Sequence, residues 1–125
     1  EDNNSASPYS NPTWSNVTLV GSNLSTTEGG IELRRGTKGN FSNFIIKDVN
    51  GKPALRISNT QTGANFKDGS LVISNFKAEN TNGNYTFGSG VTLTTAEAAT
   101  LEAAFNTTAT GASFSTWKGT WVRDL

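Results

Sequence analysis

The chain has 125 residues, ten Lys+Arg against ten Asp+Glu, and neither histidine nor cysteine. Its length is that of one ordinary domain core, and its zero net charge disfavours a broad electrostatic grip on nucleic acid or anionic lipid. Without cysteine or histidine, disulfides, Cys/His zinc sites, thiol nucleophiles and a Ser-His-Asp triad are excluded, and no apolar run approaches a membrane span.

Residues 1–13, polar and punctuated by Pro8 and Pro12, read as an irregular lead-in. The opening Glu1-Asp2-Asn3-Asn4 is no signal peptide, so an export signal is expected to have been removed or to lie on a longer precursor. Short β-branched or apolar clusters follow, bounded by Gly, Asn, Ser or Pro: Val17 to Val20, Ile31 to Leu33, Phe44 to Ile46, Ala54 to Ile57 and Leu71 to Ile73. Residues 85–93 alternate well enough for one more strand or a turn pair.

Two series repeat among these clusters. Trp14-Ser15-Asn16-Val17-Thr18-Leu19 matches Phe41-Ser42-Asn43-Phe44-Ile45-Ile46, 27 residues on, with a looser copy at Ile73-Ser74-Asn75-Phe76. Interleaved with it, Gly30-Ile31-Glu32-Leu33 matches Pro53-Ala54-Leu55-Arg56, 23 residues on. Interleaved series at one common period are what a coiled sheet requires, since each turn passes through the same faces once. The expected fold is all-β: a right-handed parallel β-helix over residues 14–93, its asparagines laddered from turn to turn. Leu33, Phe44, Ile46, Leu55, Leu71 and Ile73 are expected to fill its interior.

Residues 94–125 depart from that pattern. Thr94 and Glu97 form a capping box ahead of an Ala-rich run, and Ala98, Leu101 and Phe105 share one face of the helix that follows. So short a helix is marginal alone and is expected to cap the C-terminal turn, with Trp117 and Trp121 wrapped against the same region. Trp14 is also assigned to the core, because its neighbours are apolar.

The segments 1–4, 11–21, 31–39 and 117–121, above all Asn-Val-Thr-Leu and Arg-Arg-Gly-Thr-Lys, resemble the C-terminal part of a family of secreted β-helix proteins. These are long surface proteins of Bacteroides- and Flavobacterium-type bacteria, related in architecture to pectin lyases. The resemblance implies an extracellular or outer-surface location in a Gram-negative bacterium and a longer parent protein. Solenoids need three or more repeats to bury a continuous core. Residues 14–80 supply fewer, so the first turn is expected to stack on the N-terminal part of the same precursor or on another chain.

Sugar chemistry sets two tests. Hydrolysis needs paired carboxylates, for which Glu28, Glu32, Asp48, Asp68 and Glu79 are the candidates, and no two form a close motif. Elimination on uronic acids needs Ca²⁺ on several carboxylates plus a basic residue; Arg34, Arg35, Lys38 and Arg56 could supply the base, but no acidic cluster is visible. The same cations suit an anionic glycan without chemistry, and in a strand only one of Arg34 and Arg35 can share a face with Lys38 or Arg56. Tyr9, Tyr85 and Trp121 are candidates for stacking on sugar rings. No phosphate loop and no regular Thr-x-Thr array is present.

The expected function is therefore a non-enzymatic, secreted or surface β-helix segment. It would serve as a scaffold or glycan-contacting accessory of an outer-membrane or extracellular assembly, with ligand candidates Arg34, Arg35, Lys38, Arg56 and Trp121. No catalytic residue, metal ligand or cofactor is assigned, and neither nucleic acid nor a membrane span is expected. The alternatives are a fragment of a polysaccharide lyase or hydrolase whose catalytic residues lie elsewhere, and a free-standing carbohydrate-binding domain.

Overall fold

A computed structural model describes residues 6–23, 29–49 and 51–113. Six strands and two helices follow in the order β1 (Thr13–Val20), β2 (Ile31–Leu33), β3 (Gly39–Lys47), β4 (Leu55–Ile57), α1 (Thr60–Lys67), β5 (Leu71–Glu79), β6 (Tyr85–Phe87) and α2 (Thr95–Ala104). They form two sheets, β1-β3-β5 and β2-β4-β6, and every pairing is parallel. Successive strands of one sheet are separated by a strand of the other, so the chain winds as a coil.

The register confirms the Ser-Asn series: Ser15 pairs with Ser42, and Ser42 with Ser74. The second series is corrected by one residue, because Ile31 pairs with Leu55 and not with Ala54. Side chains alternate across a strand, and only the observed register points Leu33, Leu55 and Ile57 inward together.

Each strand of the first sheet turns a corner at its asparagine. Asn16, Asn43 and Asn75 have φ of 59, 58 and 53°, a left-handed conformation that Asn tolerates better than other side chains. In β3 the inward alternation Gly39, Phe41 is reset across this corner to Phe44, Ile46. The interior is then filled by columns of like residues along the axis. Val17 lies beneath Phe44 and Phe44 beneath Phe76, with the two phenyl rings stacked at 4.7 Å; Phe105 meets Phe76 edge-on at 5.6 Å. Leu33, Phe44, Ile46, Leu55, Leu71 and Ile73 are all buried, as expected.

Helix α1 was not expected. Its sequence Thr-Gln-Thr-Gly-Ala-Asn-Phe-Lys has weak helix formers and a central glycine, and the side chain of its N-cap, Asn59, does not cap the helix N–H groups. Tertiary polar contacts hold it instead: the Gly36 N–H donates to buried Thr62 Oγ1 at 2.9 Å, and buried Asn65 Nδ2 donates to the Gly36 carbonyl at 2.8 Å. This insertion lengthens the second turn, so β3 and β5 are offset by 32 residues where β1 and β3 are offset by 27.

At the far end, α2 carries the expected capping box: Thr94 Oγ1 accepts from the Glu97 N–H, and Glu97 Oε2 accepts from the Thr94 N–H. Leu101 is fully buried, and the helix packs on β5. Of the stretch 85–93, read as one more strand or a turn pair, β6 takes Tyr85–Phe87, and the chain turns at Ser89 and Gly90.

Beyond α2, residues 106–112 run as a strap across the corner asparagines. The Asn106 N–H donates to the Phe76 carbonyl, Thr108 Oγ1 to Asn75 Oδ1, the Thr110 N–H to Asn43 Oδ1, and the Ala112 N–H to Thr18 Oγ1. The strap thus leads from the third turn back to the first. Trp117 and Trp121 lie outside the described residues. Gly111 is where the strap passes closest, at φ 60°; any side chain there would collide with Thr18 Oγ1.

Trp14 departs from expectation too. It is 56% exposed and touches Phe41 edge-on at 6.1 Å, because β1 is the outermost strand with no described layer beneath it.

Candidate functional site

The outer face of β2 and β4 gathers the only predicted cations that meet among the described residues. Because alternate residues share a face, Glu32 and Arg34 both point outward while Leu33 is buried between them. The register sets Arg56 directly beside Glu32. Glu32 is then held from three sides: Arg34 Nη1 lies 3.8 Å from Oε2, Arg56 Nε 3.8 Å from Oε1, and Ser58 Oγ donates to Oε1 at 2.9 Å. Arg56 Nε also donates to Ser58 Oγ at 3.2 Å. Gly88, in the next turn, is the position that leaves room for this pair, since any side chain there would strike Ser58 Oγ.

The face continues into a groove of about 420 Å³, lined among others by Gly30, Glu32, Lys52, Pro53, Arg56 and Thr86. Arg34 and Arg56 thus flank one carboxylate, and Lys52 lines the groove beside it. Lys52 escapes sequence reasoning because it stands in the turn before β4, outside both repeats; the parallel register alone delivers it here.

Arg35 and Lys38 are not among the residues lining this groove. Arg35 occupies a corner at φ 57°, its N–H donating to Asn59 Oδ1 at 3.0 Å. Lys38 holds its ammonium over the Tyr9 ring, 5.4 Å from the centroid, and contributes to lowering the Asp68 carboxyl. The fifth candidate, Trp121, lies outside the described residues, as does Glu28. Tyr85 is half-buried with its ring against Phe87 and Phe105, and burial, with the Glu102 carboxylate next, raises its hydroxyl above the usual tyrosine range.

Among the described residues, the carboxyls whose proton affinity departs from normal all move down, the opposite direction to that of a general acid. Hydrogen bonds from Ser70 lower Asp68, the Lys77 ammonium at 2.6 Å lowers Glu79, and the Thr94 N–H lowers Glu97. Asp48 Oδ1 accepts from Asn80 Nδ2 at 2.8 Å, a corner ladder of the same kind as Asn16 and Asn43. Among the described residues no three acidic side chains gather to hold a cation, so the donors present there do not fit a calcium site. No described helix is long and apolar enough to cross a membrane.

A family model described as a pectate-lyase-like β-helix domain matches residues 1–122. Comparison with curated proteins and with solved structures gave no match.

Proposed function

Since the chain belongs to the pectate-lyase-like β-helix domain family, and so to a fold associated with carbohydrate-related proteins, we propose that it is a non-enzymatic segment of a secreted or cell-surface assembly that contacts acidic glycans. The observation that carries this reading is the Glu32 cluster. Among the described residues the one carboxylate lining this groove, Glu32, is engaged by Arg34, Arg56 and Ser58 and has no second carboxylate beside it, while Lys52 and the outer guanidinium nitrogens stay available to a carboxylated sugar. Arginine suits that task because its planar fork matches a carboxylate.

On this reading the coil is right-handed, the hand of nearly all parallel crossovers. It serves a Gram-negative outer-surface or extracellular complex as scaffold and accessory, and the N-terminal part of the same precursor or another chain stacks on its first turn. The test is binding of the full chain to polygalacturonate, a polymer of carboxylated sugars, against an uncharged glucan. Saturable binding weakened about tenfold by Arg56→Ala, by loss of about 1.4 kcal/mol of charge-assisted contact, is expected. Release of reducing or unsaturated ends would overturn the non-enzymatic reading; equal binding of the uncharged glucan would overturn the acidic-glycan reading.

A further inference from the structure

The first turn leaves one edge of the larger sheet open. The inward positions of β1 are Trp14, Val17 and Leu19, each registered beneath a buried residue of β3, namely Phe41, Phe44 and Ile46. Yet no residue of β1 is buried; Trp14 is 56% exposed, Leu19 37% and the neighbouring Val20 61%. Among the described residues only β3 pairs with β1, so the backbone groups that would bond a strand on its other side face outward.

The corner asparagines give this edge a direction. Asn43 Oδ1 accepts the N–H groups of Thr110 at 2.7 Å and Gly111 at 3.2 Å, which fixes which way its amide faces. Its Nδ2 donates to Asn16 Oδ1 at 2.7 Å, just as Asn75 Nδ2 donates to Asn43 Oδ1 at 3.4 Å. Every rung donates toward the first turn. Asn16 spends its carbonyl oxygen on Asn43, so its Nδ2, on the opposite branch of the amide, is the terminal donor of the ladder.

We propose that β1 is a docking edge for one parallel strand that is not part of this chain. That strand carries a side-chain carbonyl, Asn or Asp, in a left-handed corner opposite Asn16, with apolar residues opposite Trp14, Val17 and Leu19. Its pattern is apolar-x-Asn/Asp-apolar-x-apolar. A second copy does not meet these terms. Two β1 edges related by a two-fold axis would run antiparallel and set donor against donor, and head-to-tail stacking needs the outer edge of β5, which Phe105 bridges and α2 covers. The proposal rests on the reading of the chain as one part of a larger assembly and is independent of glycan binding.

Hydrogen exchange of the full chain, alone and with a synthetic peptide of the β3 sequence Asn40–Lys47, tests it. Exposed β1 amides should slow at least tenfold with the peptide. A peptide carrying Asn43→Asp should retain this protection, whereas Asn43→Leu or a scrambled sequence should lose it. Protection of β1 in the chain alone at every concentration would assign the edge to the chain's own residues, and protection that grows with chain concentration would assign it to a second copy. Either result, or equal effects of the β3 and scrambled peptides, would overturn the proposal. Glycan binding, read separately, can fail without moving β1 exchange, so the two failures are distinguishable.

Discussion

The two ends of the coil are built from one strand pattern and have opposite environments. At the third turn, Phe76 is fully buried beneath Phe105, and Leu101 of α2 closes the same end. At the first turn, the equivalent column ends on half-buried Val17, and Trp14, in the column of Phe41 and Ile73, is largely exposed. Ser-Asn-apolar fixes the register at both ends, but burial is decided by what lies above and below. The same motif is therefore core in β3 and surface in β1, and a substitution should be judged by its turn.

The largest effect expected is at the sealed end. Leu101→Asp removes a fully buried side chain and introduces a charge with no partner, a loss of about 2 to 5 kcal/mol for the side chain before any penalty for the charge. Phe76→Ala should cost about 3 to 5 kcal/mol, while Trp14→Ala at the open end should cost about 0.5 kcal/mol. Denaturant titration of the three variants measures the contrast, and a Trp14→Ala loss equal to that of Phe76→Ala would erase it.

A smaller effect sharpens the comparison along the asparagine ladder. Asn43→Gly keeps the left-handed corner accessible but leaves the N–H groups of Thr110 and Gly111 and the ladder without their partner, at about 1 to 3 kcal/mol. Asn16→Gly, which loses the single ladder bond, should cost about 1 kcal/mol. Thermal melts that rank the two the other way would show that the strap does not depend on Asn43.

The smallest effect is on pH. Asp68, Glu79 and Glu97 are held below their unfolded values of 3.8, 4.5 and 4.5. A carboxyl lowered by folding contributes stability above its unfolded value and loses it as pH falls through the folded one. Stability should therefore be flat above about pH 5.5 and decline below about pH 4.5, with Glu97→Gln reducing the decline. Melts across that range check it, and stability that rose on acidification would contradict these directions.

The coil was legible because its signal is local and repeated: Ser-Asn at 15, 42 and 74 states which residues stack, and Thr94 with Glu97 states where a helix begins. Helix α1 was not legible because Thr62 and Asn65 act through Gly36, 26 and 29 residues away, and not through helix propensity. Trp14 was misassigned because apolar neighbours in sequence do not reveal that β1 is an end strand. At the candidate site, Arg34 and Arg56 could be foreseen from strand alternation and neighbouring turns. The place of Lys38 over Tyr9 is not legible in the sequence, because the left-handed Arg35 and Gly36 that turn the chain before it belong to neither repeat.

The account turns on one gradient, from a sealed third turn to a bare first one. Residue-resolved hydrogen exchange of the chain alone measures it directly. Amides of β3 and β5 should exchange near the rate set by global unfolding, and those of β1 at least a hundredfold faster, a difference of about 2.7 kcal/mol in opening free energy. Protection of β1 equal to that of β5 would mean that the first turn is covered, and would contradict the gradient.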